Sequence, residues 1–402
     1  MWVRCTLLSA LLFVACTDGD DQPRAILSQD TLENGAVHVV SAPEGEWAVL
    51  GVEPWRLEED LRIGVVEGDA PYMFGSVRNV IPDPSGRMWV LDSQAHDMRL
   101  FDQEGVFLKA IGGEGQGPGE FDFNPCAFSG PGGEIWVEAG GRWQRFDTAG
   151  ALLGGQQVTR HLGCGIRSWR PDGRFVAADN FYDDETGEYS VIFLIHQRDS
   201  TGAVFVVDSV FPPDLPEGRR VTLEHASGRG RMILHVPFTS VPWRYLGPNA
   251  DFWTTEGSGD YRIHRTAVFG DTLVILERPY NPIPIPDSIR EHGIAELRRE
   301  NYRLESGFDM SEVPRTFPPI DQLLVGVDGT LWVRRQVEGG AYILDVFSPE
   351  GHFLGPVKAP ADFDRMIIHL ITPDFMYATA RDELDVQYAV RLEIQRPGRR
   401  RN

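Results

Sequence analysis

The chain has 402 residues, with 59 Asp or Glu against 38 Lys or Arg, for a formal charge of −21. Nucleic acid and anionic membrane surfaces each require a basic face, so this balance argues against both as partners and makes acidity a matter of solubility. Beyond the first residues, no segment is long and apolar enough to cross a bilayer.

At the N-terminus, Arg4 precedes the apolar run from Leu7 to Ala15, too short for a membrane span but suited to the core of a signal peptide. The run ends at Phe13-Val14-Ala15-Cys16, which resembles the lipobox of bacterial lipoproteins, where the Cys thiol is acylated and becomes the new first residue. Phe13 stands where Leu is usual, so plain secretion is the alternative. The expectation is a lipoprotein signal peptide over 1–15, lipidation at Cys16, and anchorage in a bacterial cell envelope facing the periplasm or exterior, with the lipid as the only membrane contact. Thr17 to Gln29 is polar and acidic without a packing pattern, which predicts a flexible tether within an irregular segment over 16–54.

A three-beat pattern then recurs: a turn, an apolar residue, and an aromatic residue or Val. Its six copies are Gly86-Arg87-Met88-Trp89, Gly133-Glu134-Ile135-Trp136, Gly173-Arg174-Phe175-Val176, Ala250-Asp251-Phe252-Trp253, Gly329-Thr330-Leu331-Trp332 and Asp374-Phe375-Met376-Tyr377. A second strand and another tight turn follow, as at Leu100 to Gly105, Arg145 to Gly150 and Val346 to Gly351, so each unit reads as a meander of about four strands. Four-stranded sheets repeated radially make a propeller. The last unit lacks an outer strand, whereas Trp55 to Val66 has no inner strands of its own and can supply that edge. The predicted fold is all-β: a six-bladed β-propeller of four-stranded antiparallel blades over 55–397, closed by an N-terminal strand pairing with the C-terminal blade. Insertions over 212–230 and 279–320, the second with a short helix, and a basic tail over 398–402 complete it. No internal domain boundary is expected, and neither insertion carries the repeat that a seventh blade would need.

Cys5 leaves with the leader and Cys16 is the proposed lipid site. Cys126 and Cys164 then occupy similar places in adjacent blades, as either a disulfide or two buried free thiols.

In a four-stranded blade the connections alternate between two faces. Here the tight turns fall on one face, while the long segments, Gly112 to Pro125, Asn180 to Tyr189, Pro212 to Gly230 and Pro279 to Ile320, all fall on the other. Long loops on a rigid scaffold are where binding concentrates. Within the largest insertion, Pro282, Pro284 and Pro286 stiffen the approach, and Ser288 with Glu291 suggests a capping box. Ile289, Ile294 and Leu297 share one side of a helix running to about Tyr302, with Arg290, Arg298, Arg299 and Glu300 turned to solvent. Such a helix lies across the looped face, either as surface decoration or as a lid over the channel.

Gly112 to Phe121, reading GGEGQGPGEF, is followed by Pro125 and then by a Gly turn and Ile135-Trp136-Val137. With Val236-Pro237-Phe238 and Glu277-Arg278-Pro279-Tyr280, this resembles the blade junctions of bacterial six-bladed propellers related to NHL-repeat proteins. The likeness covers about Trp55 to Pro397; Ala250 and Asp374 depart from it at expected Gly positions. It implies a binding or scaffolding module, taken here as a monomer that docks an unknown protein, peptide or glycan.

No phosphate loop is indicated, because Glu114 and Glu120 flank the glycine string and no Lys follows. The loop with Asp179, Asp183, Asp184, Glu185 and Glu188 gathers carboxylates, the ligands calcium prefers, without the spacing of a known calcium loop. No zinc spacing or nucleophile elbow is found, so no catalytic residue and no cofactor is named. The position three after each repeat aromatic holds Asp92, Ala139, Asp179, Glu256, Arg335 and Ala380. Asp92, Asp179, Glu256 and Arg335 thus form a candidate funnel for a cation, calcium included, or a polar ligand. The bland alternative is a set of hydrated or mutually paired charges. Two functions follow: a non-catalytic binding module acting through the looped face, or a metal- or His-dependent hydrolase or lyase, lactonase-like, with His and carboxylates converging at the channel mouth.

Overall fold

A computed structural model of the chain describes residues 25–397, apart from 158–166, 171, 184–187, 213–214, 216–218, 228–229, 299–301 and 305–307. Six antiparallel sheets contain the repeat units. Blade 1 runs from Val77–Pro82 through Met88–Asp92 and Asp97–Phe101 to Phe107–Gly112. Blade 2 spans Cys126–Ser129 to Leu152–Gln157, blade 3 Arg167–Trp169 to Val204–Val210, and blade 4 Arg244–Leu246 to Thr272–Glu277. Blade 5 spans Gln322–Val325 to Phe353–Lys358. Blade 6 takes three strands from Met366–Ile371 to Gln387–Gln395 and its outer strand from Arg56–Ile63, with Val390 opposite Arg62 and Ile394 opposite Leu57. The closing strand is therefore where the sequence places it.

The repeat aromatic explains why the sheets form a ring. Each is nearly or fully buried, and each fills the core between its own blade and the next. Trp89 packs with Ile135 and Val137 of blade 2, Trp136 with Phe175 of blade 3, and Val176 with Phe252 of blade 4. Trp253 packs with Leu331 and Val333 of blade 5, Trp332 with Met376 and Ala378 of blade 6, and Tyr377 with Val80 and Met88 of blade 1. The sixth contact returns to the first blade. The molecule is a six-bladed β-propeller. Inner strands of all six blades line one central cavity of about 600 Å³.

Tight turns hold the plain face. In blade 1 the Asp83 carboxylate accepts from the backbone N–H of Ser85 and Arg87 and from Arg87 Nε at 2.7 Å. Ala250 takes φ 58°, the conformation its Gly counterparts adopt in the same turn, so the departure from the repeat costs strain without changing the chain path.

The N-terminal segment differs from the expected tether. Ile26–Thr31 and Val37–Ser41 form a hairpin whose second strand pairs in parallel with the outer strand of blade 4. A short helix, Glu46–Leu50, then lies on the outer strand of blade 5, where Trp47 sits so close to Gly355 that a Cβ there would lie 2.6 Å from the indole. Trp55 joins Trp47 to Trp332, with ring centroids 5.3 and 5.9 Å apart. Residues 25–63 thus strap the rims of three consecutive blades. Arg396, just before the expected basic tail, is packed: it lies 4.0 Å from the Trp55 ring and pairs with Asp328. Residues 398–402 lie outside the described residues, as do 1–24, including Cys16.

Candidate functional site

The two insertions merge into one subdomain on the looped face. Strand Arg220–His225 from the first pairs with Arg231–His235 on one side and, on the other, with Tyr302–Leu304 from the second. Val221, Val236, Leu297 and Val313 form its small core. It is no seventh blade, because blades 3, 4 and 5 pack directly on one another.

The helix of this subdomain runs Asp287–Glu296. Its N-cap is Pro286 and no side chain caps it, so the Ser288–Glu291 box does not form; Pro286 fixes the chain's entry instead. A capping box occurs further on, between Asp309 and Glu312. Leu297 is buried, and Ile289 packs over Gly340. Arg290, expected in solvent, donates to the backbone carbonyls of Met310, Val313 and Pro314 at 2.8–3.1 Å. These bonds tie the helix to the turn Met310–Glu312 and the residues after it, where the Met310 carbonyl also accepts from the Val313 N–H.

Between the subdomain and blade 4 opens a pocket of about 440 Å³. Its walls are the rings of Phe238, Tyr280 and Phe317 with Pro242, Pro282, Pro314, Pro318 and Pro319; Arg219, Thr239, Ser240 and Glu256 supply polarity. The walls are fixed. Segments 283–285 and 315–317 are laced by Ile285 N–H to the Arg315 carbonyl and Phe317 N–H to the Ile283 carbonyl, each 2.9 Å. The Tyr280 hydroxyl donates to the Phe317 carbonyl at 3.2 Å. Phe238 holds a left-handed backbone (φ 62°), rare for an aromatic residue, and packs edge-on to Phe317 with centroids 6.0 Å apart. Gly257, with φ 67°, shapes the opposite lip; a Cβ there would lie 2.8 Å from Pro242.

Of the four funnel candidates, Glu256 alone lines this pocket. Asp92 is buried and accepts from the backbone N–H of Gly75 and Ser76, each at 2.9 Å, with Arg99 3.4 Å away, so it anchors the chain entering blade 1. Asp179, on the strand Phe175–Asp183 of blade 3, is buried and has a partner of its own. Arg335 bonds Asp345 through Nε at 2.7 Å. Among the described residues no three His, Cys, Asp or Glu side chains come together to hold a metal ion. Among the described residues the funnel therefore does not assemble a ligand set: Asp92 is taken up by backbone N–H groups and Arg335 by Asp345. In the acidic loop, Asp183 and Glu188 stand opposite each other in the hairpin register; Asp184 and Glu185 lie outside the described residues.

Sequence reading missed the buried ionic cluster between blades 4 and 5. The fully buried Asp345 carboxylate accepts from the Tyr261 hydroxyl at 2.9 Å and from Arg278 and Arg335 at 2.7 Å each. Arg278 is sandwiched between the rings of Phe353 and Tyr261, 4.1 and 5.1 Å from their centroids. Burial, with Asp345 beside it, pushes the Tyr261 phenol well above its ordinary value. Burial opposes the charge on Arg335, but Asp345 outweighs it and raises the guanidinium further.

The central cavity is of another character. Its described lining includes Trp169, Tyr245, Phe128 and aliphatic side chains, no carboxylate, and one histidine, His369. His369 Nε2 lies 2.8 Å from the Thr379 hydroxyl, and burial depresses its pKa to about 4, so the ring is neutral. Cys126, at the cavity wall, is disulfide-bonded; Cys164 lies outside the described residues.

No family model matches the chain, and no curated protein does. It resembles solved structures at low identity. A Bacteroides fragilis protein thought to be exported shares 13% identity with a TM-score of 0.46, covering 85% of this chain and 96% of that one. A catalytically inactive virginiamycin B lyase from Staphylococcus aureus with quinupristin shares 12% with a TM-score of 0.41, covering 85% and 99%. Regucalcin, a calcium-binding protein from Agrobacterium tumefaciens, shares 12% with a TM-score of 0.32, covering 80% and 92%. These are likenesses to solved structures, without a matching sequence family. Among the described residues no helix is long and apolar enough to cross a membrane.

Proposed function

We propose that this chain is an exported, lipid-anchored binding module that takes its ligand on the looped face, in the pocket between the inserted subdomain and blade 4. One observation carries the reading: a pre-formed cavity of about 440 Å³ walled by rings and prolines, where insertions from two blade links have been joined into one structure. Rings and prolines combined with placed polar groups are wall chemistry that small-ligand and peptide sites share. The competing hydrolase or lyase reading needs ionisable groups converging at the channel, and the described lining there offers a neutral His369 without a carboxylate.

The test is a thermal-shift panel of peptides, glycans and small organic ions on the parent and on Ser240→Trp, which fills the pocket, alongside an ester and lactone turnover screen. A ligand that raises the melting temperature of the parent but not of the variant, without turnover, supports the reading. Turnover lost on His369→Ala defeats it. Anchorage is tested by mass spectrometry of the mature N-terminal peptide, where a diacylglyceryl group on Cys16 is expected and an unmodified, soluble chain indicates secretion. Non-reducing peptide mapping should show Cys126 joined to Cys164.

A further inference from the structure

We infer that the pocket selects an organic cation on an apolar body, such as a guanidinium or ammonium carried by a short aliphatic chain, with Glu256 as its counter-ion; this rests on the binding-module reading above.

The charge inventory leads there. Two ionisable side chains of opposite sign line the pocket, Arg219 and Glu256. Arg219 is already neutralised by a salt bridge to Glu312. Glu256 is half exposed, and among the described residues its partner is His264 Nε2 at 3.4 Å. Burial lowers the pKa of His264, only partly countered by Glu256 itself, so that imidazole brings no charge to offset the carboxylate near neutrality. Arg262, in the adjoining crevice that Glu256 also lines, is engaged by Glu277, and the exposed Asp260 lies in that same crevice. Arg315 is exposed between two wall residues but is not itself among the lining side chains. Among the described side chains that line the pocket, Glu256 is therefore the charge without a charged partner.

The walls match the same ligand. Aromatic faces attract cations through their quadrupole, more strongly where water is excluded, and Phe238, Tyr280 and Phe317 are the rings available. Prolines around them accept an aliphatic stem without offering donors that would compete for Glu256. The chain's charge of −21 adds long-range attraction for cationic solutes. A free organic cation and a basic side chain of a peptide present the same head group, so the experiment separates them.

Fluorescence polarisation or calorimetry would compare n-butylguanidinium, a hexapeptide of alternating proline and arginine, and hexapeptides with glutamate or alanine in place of arginine, on the parent, Glu256→Gln and Ser240→Trp. Guanidinium probes should bind the parent, weaken about tenfold in Glu256→Gln with its melting temperature unchanged, and fail in Ser240→Trp. Binding of the peptide alone assigns a peptide ligand; equal binding per guanidinium by the small cation assigns a free one. If the glutamate or alanine peptide binds as well as the arginine peptide, and Glu256→Gln leaves binding unchanged, the charge selection is overturned while the binding module survives. If no ligand of the wider panel depends on Ser240, both fall.

Discussion

Removing the Asp345 carboxylate should be among the most damaging single substitutions in the protein. The side chain is fully buried and joins the Tyr261 phenol and two guanidiniums, those of Arg278 and Arg335, whose side chains are 8% and 12% exposed. Asp345→Ala leaves two like charges facing each other across a cavity with no anion between them. Breaking a buried ion pair by deleting one partner costs about 3–5 kcal/mol. At about 2 °C per kcal/mol for a domain of this size, the melting temperature should fall by about 6–10 °C. Replacing all three charges with apolar residues of similar volume, Asp345→Leu with Arg278→Met and Arg335→Met, should return most of that loss, since the desolvation penalty vanishes with the charges. Urea denaturation of the three proteins decides. A cost below about 1 kcal/mol for Asp345→Ala, or a triple variant less stable than the single one, refutes the view that this cluster is an ionic joint between blades 4 and 5.

Ile63, buried in the core shared by blades 6 and 1, tests ring closure: Ile63→Ala should cost about 2–4 kcal/mol in urea denaturation, and a loss under about 0.5 would mean that the N-terminal strand is not a closing element. Arg290→Ala removes three charge-assisted bonds to the 310–314 loop and should lower stability by about 2–3 kcal/mol while raising hydrogen exchange of that loop; unchanged exchange would contradict its role as a brace. His369 has a folded pKa of about 4 against 6.5 unfolded, so the unfolded chain binds the extra proton first. Its contribution is full above pH 6.5 and lost as pH falls towards 4, amounting to at most about 3 kcal/mol. The urea midpoint of the parent should drop through that window more than that of His369→Gln, and parallel curves would contradict the assignment.

The ring was legible because each blade repeats one physical demand, a bulky apolar residue filling the gap to its neighbour, Val176 in blade 3 and an aromatic residue in the others, and Trp89, Trp136, Trp253 and Trp332 announce it. The closing strand was legible from what the last unit lacked. The N-terminal hairpin was not: Ile26–Thr31 is exposed along most of its length and polar, so no buried face marks it, and it is held by backbone pairing at a rim. The subdomain was half visible. Its helix shows in the Ile289, Ile294 and Leu297 spacing, but its sheet joins strands from insertions on either side of a whole blade, which local patterning cannot register. Asp92 and Arg335 were found by column position, yet a column fixes only where a side chain starts; nearby donors and acceptors decide where it ends. Glu256 lines the pocket, with His264, whose pKa burial lowers, as its partner among the described residues.

The most direct test is hydrogen exchange of the intact protein with and without the alternating proline–arginine hexapeptide. Protection confined to residues 238–242, 256–260 and 314–319 is the expected result. Protection instead along the inner strands at 245–248, 325–327 and 368–370 would place the ligand in the central channel and contradict the account.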